Sequence, residues 1–112
     1  MDLITRIQNL ITELSAYIKG LQNWGIKRAN AEKDYQTVLA QEVLKERDKG
    51  TAIGVISLTV KGAKGVAEKR LERDIAEVMY QVSQEKINVA KLELRLLDSQ
   101  ASREYAVESW NK

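Results

Sequence analysis

Two heptad rows, one in each half of the chain, are the feature that most constrains its fold. In the first half, alternating spacings of four and three separate Leu3, Ile7, Leu10, Leu14, Tyr17, Leu21, Trp24, Arg28, Ala31, Tyr35 and Val38. The second half repeats this spacing in Leu71, Ile75, Val78, Val82, Glu85, Val89, Leu92, Leu96, Ser99, Arg103, Ala106 and Trp110. Such spacing keeps one stripe of a helix against a partner, so it predicts two long helices with coiled-coil packing.

The absence of proline from all 112 residues supports long helices. A proline inside a helix costs about 3 kcal/mol, so uninterrupted helices are favoured where there is none. The first helix is predicted to start after Asp2 as N-cap and to run to about Lys49, with Gly50 as the left-handed residue that ends it. The second is predicted to begin near residues 63–66 and to continue almost to Trp110.

The glycine-rich segment 50–65 connects the two predicted helices. We expect residues 1–112 to form a single all-α domain, an antiparallel helical hairpin in which Arg28 lies opposite Glu85 and Tyr35 opposite Val78. An ion pair within such a seam specifies the register more than it stabilises the fold. The apolar residues of the connection predict either a short third helix packed on the hairpin or an exposed element that binds a partner: Ile53, Val55, Ile56, Leu58 and Val60.

Apolar residues remain after both seams are filled. Ile4, Ile11 and Ile18 form a second row on the first helix. Tyr80, Ile87, Leu94 and Ala101 form another on the second helix, on the side away from its seam. One interpretation is a broad stripe in the core of a monomer. Because a two-helix hairpin has only one inner face, we instead predict a homodimer that forms a four-helix bundle, with Ile4, Ile11, Ile18, Tyr80, Ile87 and Leu94 at the interface.

The composition lacks two residue types that many enzymes use for catalysis. The chain has neither histidine nor cysteine, so the usual general base, thiol nucleophile and zinc ligands are missing. Its glycines also lack the spacing of a phosphate-binding loop. The sequence predicts a protein that is not an enzyme, with no catalytic, cofactor-binding or metal-binding residues and no small-molecule substrate.

No apolar run approaches the ~18 residues of a membrane span, and the start of the chain lacks a basic signal segment, so we expect a soluble intracellular protein.

Basic residues concentrate around the connection. Residues 45–73 contain eight lysines and arginines against four acidic residues. Such charges can simply complement helix dipoles and remain solvated, or they can bind an acidic protein or a nucleic-acid backbone. The predicted partner-binding residues are Lys49, Thr51, Ile53, Ile56, Ser57, Lys61, Lys64, Lys69 and Arg70.

Four segments carry a resemblance to a known group of proteins: residues 29–35 (Ala-Asn-Ala-Glu-Lys-Asp-Tyr), 56–62 (Ile-Ser-Leu-Thr-Val-Lys-Gly), 70–77 with Tyr80, and 87–97. They resemble small coiled-coil proteins of phages and prophages of Gram-positive bacteria, over most of the chain. Those proteins often carry a proline after the glycine that matches Gly50, which this chain lacks. The resemblance implies a phage protein encoded near early recombination genes and supplies no catalytic residue.

Three functional hypotheses follow. The first is a phage-encoded protein-binding module, acting in the cytoplasm of the bacterial host, that inhibits a host nuclease or an anti-phage defence effector. The second is a nucleic-acid-binding accessory of phage recombination or replication that uses the basic end of the hairpin. The third is a purely structural rod. Long helices with spare apolar rows suit the occlusion of a groove on another protein, so the first hypothesis is favoured.

Overall fold

The computed structural model describes residues 2–111, and within that range it contains three helices and no strand. Helix α1 spans Leu3–Asp48, α2 spans Ile53–Gly62 and α3 spans Lys64–Asn111. The prediction of an all-α protein is therefore confirmed. The chain divides into two compact units: unit 1 contains the residues up to Gln22 and those from Gln81 onward, and unit 2 is Asn23–Tyr80.

The start of α1 is capped as the sequence predicts. The backbone N–H of Thr5 donates to Oδ1 of Asp2 at 2.7 Å, which satisfies one of the amides that a helix leaves unpaired at its start. The same hydrogen bond stabilises the charged carboxylate and so lowers the pKa of Asp2. From this cap α1 continues without a break past Gly20 and Gly25.

The end of α1 is a left-handed glycine turn. Gly50 has φ +79°, a conformation that side chains disfavour. Its N–H donates to the carbonyl of Arg47 at 3.0 Å, and the N–H of Thr51 donates to the carbonyl of Glu46 at 3.1 Å. These two bonds form a Schellman motif, so the predicted helix end at Gly50 is confirmed.

The connection contains a helix of its own. On α2, Ile56 and Val60 are buried together with Tyr35 of α1 and Val66 of α3, and these four residues form the core of unit 2. Other apolar side chains of α2, Ile53, Val55 and Leu58, are exposed. Of the two predicted alternatives, the short helix packed on the longer helices is correct, although one side of it remains open to solvent.

Within each unit, side chains of α1 contact side chains of α3. In unit 1, Arg6 Nε donates to Oε1 of Glu93 at 3.1 Å, and further along α1 the Nζ of Lys86 lies 5.8 Å from the ring centroid of Tyr17. Residues later in α1 thus contact residues earlier in α3. In unit 2, Arg28 forms an ion pair with Glu77.

The register between the helices differs from the predicted one. The partner of Arg28 is Glu77, about two helical turns before the predicted Glu85. Likewise, the ring of Tyr35 lies 4.2 Å from the guanidinium carbon of Arg73, whereas Val78 was the predicted neighbour. The predicted ion pair within the seam is therefore wrong, although an ion pair does join the two helices at Arg28.

The predicted seam of α3 faces solvent. Seven of its apolar side chains are between 42% and 63% exposed. We call them the outer row: Leu71, Ile75, Val78, Val82, Val89, Leu92 and Leu96. The buried positions of α3 belong to a different row, Val66, Ala76, Ser83, Ile87 and Ala90. The sequence prediction of the α3 inner face is wrong.

Side-chain size explains which row of α3 faces α1. The inner face of α1 carries large aromatic side chains, including Tyr17 in unit 1 and Tyr35 in unit 2. The buried row of α3 alternates small residues such as Ala76, Ser83 and Ala90 with larger ones, and small side chains leave room for large ones on the facing helix. The outer row contains only valine, leucine and isoleucine at its apolar positions and has no such small residue.

This face assignment also changes the predicted dimer interface. Ile87 is 7% exposed within one chain, and Tyr80 and Leu94 are half-buried on the same face. Within one chain these three residues lie on the inner face of α3, whereas the sequence prediction placed them at the interface of a four-helix bundle. Ile4, Ile11 and Ile18 are exposed, as predicted.

Among residues 2–111, no helix combines the length and the apolar character that crossing a membrane requires.

Candidate functional site

A groove in unit 2 lies between the C-terminal part of α1 and α2 and has a volume of about 500 Å³. Its walls come from one face of each helix. Nine residues line it: Tyr35, Leu39, Val43, Arg47, Ile53, Ile56, Ser57, Val60 and Lys61.

The spacing of these residues explains why they meet. On α1 they recur every fourth position from Tyr35 to Arg47, which keeps them along one side of the helix. On α2 the spacing from Ile53 to Lys61 is that of a single helical stripe. Docking of α2 through Ile56 and Val60 therefore sets two amphipathic stripes side by side.

The groove has an apolar floor and a positively charged rim. Tyr35 and Ile56 are each 8% exposed and Val60 is 1% exposed, so these side chains form the floor. Arg47 and Lys61 are exposed on α1 and α2, and none of the nine lining residues is acidic. The chemistry of such a surface is complementary to an apolar side chain together with a carboxylate.

Ile53 adds exposed apolar surface to the groove, because its side chain is 90% exposed at the first turn of α2. A single exposed isoleucine is ordinary on a protein surface. Here it adjoins an apolar groove on the same face of α2, which extends the apolar surface that a partner would bury.

The turn that joins α1 to α2 is held by Glu46. The Thr51 hydroxyl donates to Oε2 of Glu46 at 2.7 Å, and Lys49 Nζ lies 3.5 Å from Oε1. The hydrogen bond from Thr51, followed by the charge of Lys49, lowers the pKa of Glu46. Lys49 and Thr51, which the sequence predicted to bind a partner, take part in the junction that positions α2.

The other predicted basic residues are only partly free to bind. Lys69 Nζ lies 3.2 Å from Oε2 of Glu72, and Arg70 donates to the backbone carbonyl of Lys61 at 3.3 Å. Lys64 is exposed and lies outside the groove lining. The region of residues 45–73 is thus less positive than its count of lysines and arginines indicates, because some of these side chains already contact carboxylates or a backbone carbonyl.

The structure brings together four of the nine predicted partner-binding residues, Ile53, Ile56, Ser57 and Lys61. Sequence reasoning missed the α1 wall and Val60 as a floor residue. A signal for the wall was present: Leu39 and Val43 continue the apolar stripe of α1 beyond Val38. Their spacing from Tyr35 marks the side of α1 that α2 covers.

A second groove, of about 340 Å³, lies in unit 1 and has a different character. Its apolar walls include Leu10 and Tyr17 of α1 and two members of the outer row, Val82 and Val89. Its polar lining is mainly acidic, with Glu13, Glu85 and Glu93 against the single cation Lys86. The charge of its lining is therefore opposite in sign to that of the groove of unit 2.

Across residues 2–111, no group of three or more acidic side chains is arranged to hold a metal ion. No protein-family model, no curated protein and no solved structure matches this chain.

Proposed function

We propose that this protein is a non-enzymatic binding module, built on an antiparallel helical hairpin, whose unit 2 groove binds an acidic, partly apolar segment of another protein. One observation carries the proposal: the groove combines an apolar floor with two cations, Arg47 and Lys61, and no acidic lining residue. The antiparallel contacts Arg6–Glu93 and Arg28–Glu77, one in each unit, support the hairpin.

The physical division of roles follows from burial and charge. Apolar side chains of the partner would be removed from water against Ile56, Val60 and Ile53, which contributes roughly 25 cal/mol per Å² of buried apolar area. Arg47 and Lys61 would pair with carboxylates and so fix the orientation of the bound segment. An amphipathic helix with an acidic flank has this combination of surfaces.

The resemblance to small phage proteins supports a host protein as the partner. In that setting the module would act in the bacterial cytoplasm and would inhibit its target, a nuclease or a defence effector, by covering a surface that the target needs. Binding through a groove and an exposed helix requires no catalytic group on this chain.

Nucleic acid is the alternative partner for the basic end. It is less well supported because Lys45, Lys49 and Lys69 lie within 4.0 Å of carboxylate oxygens. Phosphate binding would have to displace these intramolecular pairs. A groove with an apolar floor also offers a nucleic-acid backbone little to contact.

The experiment places a photo-crosslinking amino acid at Ser57, within the groove, and identifies crosslinked proteins from host lysate by mass spectrometry. We expect one dominant protein adduct, and we expect Arg47→Glu with Lys61→Glu to abolish it. The matched control is Lys33→Glu with Lys64→Glu, which changes the net charge by the same amount at exposed positions outside the groove. The control should retain the adduct.

Two results would contradict the proposal. Equal loss of the adduct in both double variants would show that overall charge, and not the groove, governs binding. Competition by single-stranded DNA, with binding that falls steeply with salt, would favour the nucleic-acid alternative.

A further inference from the structure

The outer row of α3 is a run of apolar side chains that the fold leaves exposed. Leu71, Ile75 and Val78 belong to unit 2, and Val82, Val89, Leu92 and Leu96 belong to unit 1. All seven lie on one helix, and together with Glu85 they keep a continuous spacing of four and three. A narrow stripe with this spacing matches the seam that one helix presents to another.

The intervals between positions of the outer row follow the same order from either end of the row. From Leu71 to Leu96 the intervals are four, three, four, three, four, three and four. An antiparallel second copy of α3 therefore places every row position opposite another position of the same row. The facing pairs are Leu71 with Leu96, Ile75 with Leu92, Val78 with Val89, and Val82 with Glu85.

We propose that two copies of this chain associate through the outer row, with their α3 helices antiparallel about a two-fold axis. The interface is isologous, so the outer row of each copy covers the outer row of the other. This surface differs from the predicted one, which used Tyr80, Ile87 and Leu94, and it is separate from the groove of unit 2.

Charge selects the antiparallel orientation. In a parallel pair of helices in register, Glu85 of each copy would face Glu85 of the other, and like charges in a seam are destabilising. In the antiparallel pair Glu85 faces Val82, and the two Glu85 side chains lie in neighbouring layers of the seam rather than in the same layer. On one flank of that seam Asp74, whose carboxylate also lies 3.2 Å from the guanidinium of Arg73 in its own chain, is beside Arg95 of the second copy, and this attractive contact occurs twice in the dimer.

On the opposite flank, the carboxylate of Glu72 lies near the carboxylate of Glu93 of the second copy. Each is already paired within its own chain. Lys69 Nζ lies 3.2 Å from Oε2 of Glu72, and Arg6 Nε donates to Oε1 of Glu93 at 3.1 Å. These cations reduce the repulsion, so the charge pattern favours the antiparallel pairing of two copies.

The experiment measures the molar mass of the full chain by multi-angle light scattering and sedimentation equilibrium. Wild type should have twice the mass of the 12.7 kDa chain. Ile75→Glu with Leu92→Glu places two glutamates opposite each other at two points of the interface. That variant should fall to 12.7 kDa while its helical circular dichroism stays close to that of wild type, since both side chains are more than half exposed within one chain.

A second variant, Ile75→Glu with Leu92→Lys, tests the orientation. In the antiparallel dimer each introduced glutamate lies opposite an introduced lysine, so the dimer should form. In a parallel dimer the like charges would meet, and the variant would be monomeric. A monomeric Ile75→Glu/Leu92→Lys variant together with a dimeric wild type therefore overturns the antiparallel orientation.

The control is Ile11→Glu with Ile18→Glu, which places the same charges on the exposed row of α1. It should remain dimeric. A monomeric wild type at high micromolar concentration, or a dimer disrupted by the α1 variant and not by the α3 variant, overturns the proposal. Arg47→Glu with Lys61→Glu should leave the dimer intact, so failure of the groove hypothesis and failure of this one are distinguishable.

Discussion

At the scale of single residues, the glycines of this chain have different roles although each lowers helix propensity. Gly20 lies within α1 with nothing within 4 Å of where a Cβ would be. Gly50 has φ +79° at the end of α1, where a Cβ is strained even though space is open. One glycine is therefore dispensable for the fold, while the other permits the turn that leads into α2.

This contrast makes a prediction for two alanine substitutions. Gly20→Ala should raise the free energy of unfolding by up to about 1 kcal/mol, because alanine is the better helix former and meets no neighbour. Gly50→Ala should lower it by about 1 kcal/mol, the cost of a left-handed non-glycine residue. Urea denaturation checks both. Stabilisation by Gly50→Ala would contradict the assignment of the turn.

Glu46 carries a second residue-scale prediction. The hydrogen bond from Thr51 lowers the pKa of Glu46 below its ordinary value of 4.5. Because the folded pKa is the lower one, the resulting stabilisation is present above about pH 4.5 and is lost as the pH falls through the folded pKa. Thr51→Val should raise the pKa of Glu46 and reduce the loss of stability in this acidic range. Carboxyl chemical shifts followed by NMR during a pH titration measure that pKa.

The control for this titration is Thr59→Val. The Thr59 hydroxyl donates to the carbonyl of Val55 within α2 and does not contact Glu46. Thr59→Val should therefore leave the pKa of Glu46 unchanged. An unchanged Glu46 pKa in Thr51→Val would show that the hydroxyl does not stabilise the carboxylate.

At the scale of the helices, local signals predicted more than long-range ones. Asp2 and Gly50 mark the ends of α1 correctly because capping depends on residues close in sequence. The inner face of α3 was not predictable in the same way, since this helix carries two rows with heptad spacing. The more apolar row was chosen from the sequence, whereas the row with Ala76 and Ala90 packs inside. The choice depends on the size of the facing side chains of α1.

The register of unit 2 gives a prediction at this scale. Arg28→Glu and Glu77→Arg should each destabilise the fold, and the double variant should recover part of the loss. The coupling should be about 0.5 kcal/mol, because both side chains are partly exposed. A double-mutant cycle in urea measures it. The comparison variant, Arg28→Glu with Glu85→Arg, should show no recovery, and recovery there would support the register predicted from sequence.

At the scale of the whole chain, composition indicated the fold class but not the candidate site. The absence of proline indicated long helices. Three residues of the connection that were predicted to bind a partner, Ile53, Ile56 and Lys61, line the groove of unit 2. The α1 wall of the groove was missed because it exists only once α2 docks. Arg47 joins Lys61 at one groove through that docking, across a turn whose path depends on Gly50.

The core and the proposed self-association both depend on which face of α3 packs against α1. Ile87→Ala and Val89→Ala distinguish the two faces, since Ile87 is 7% and Val89 56% exposed. At protein concentrations low enough to exclude association, Ile87→Ala should lower the free energy of unfolding by about 2–4 kcal/mol. Val89→Ala should cost less than about 1 kcal/mol. A larger loss for Val89→Ala than for Ile87→Ala would contradict the account.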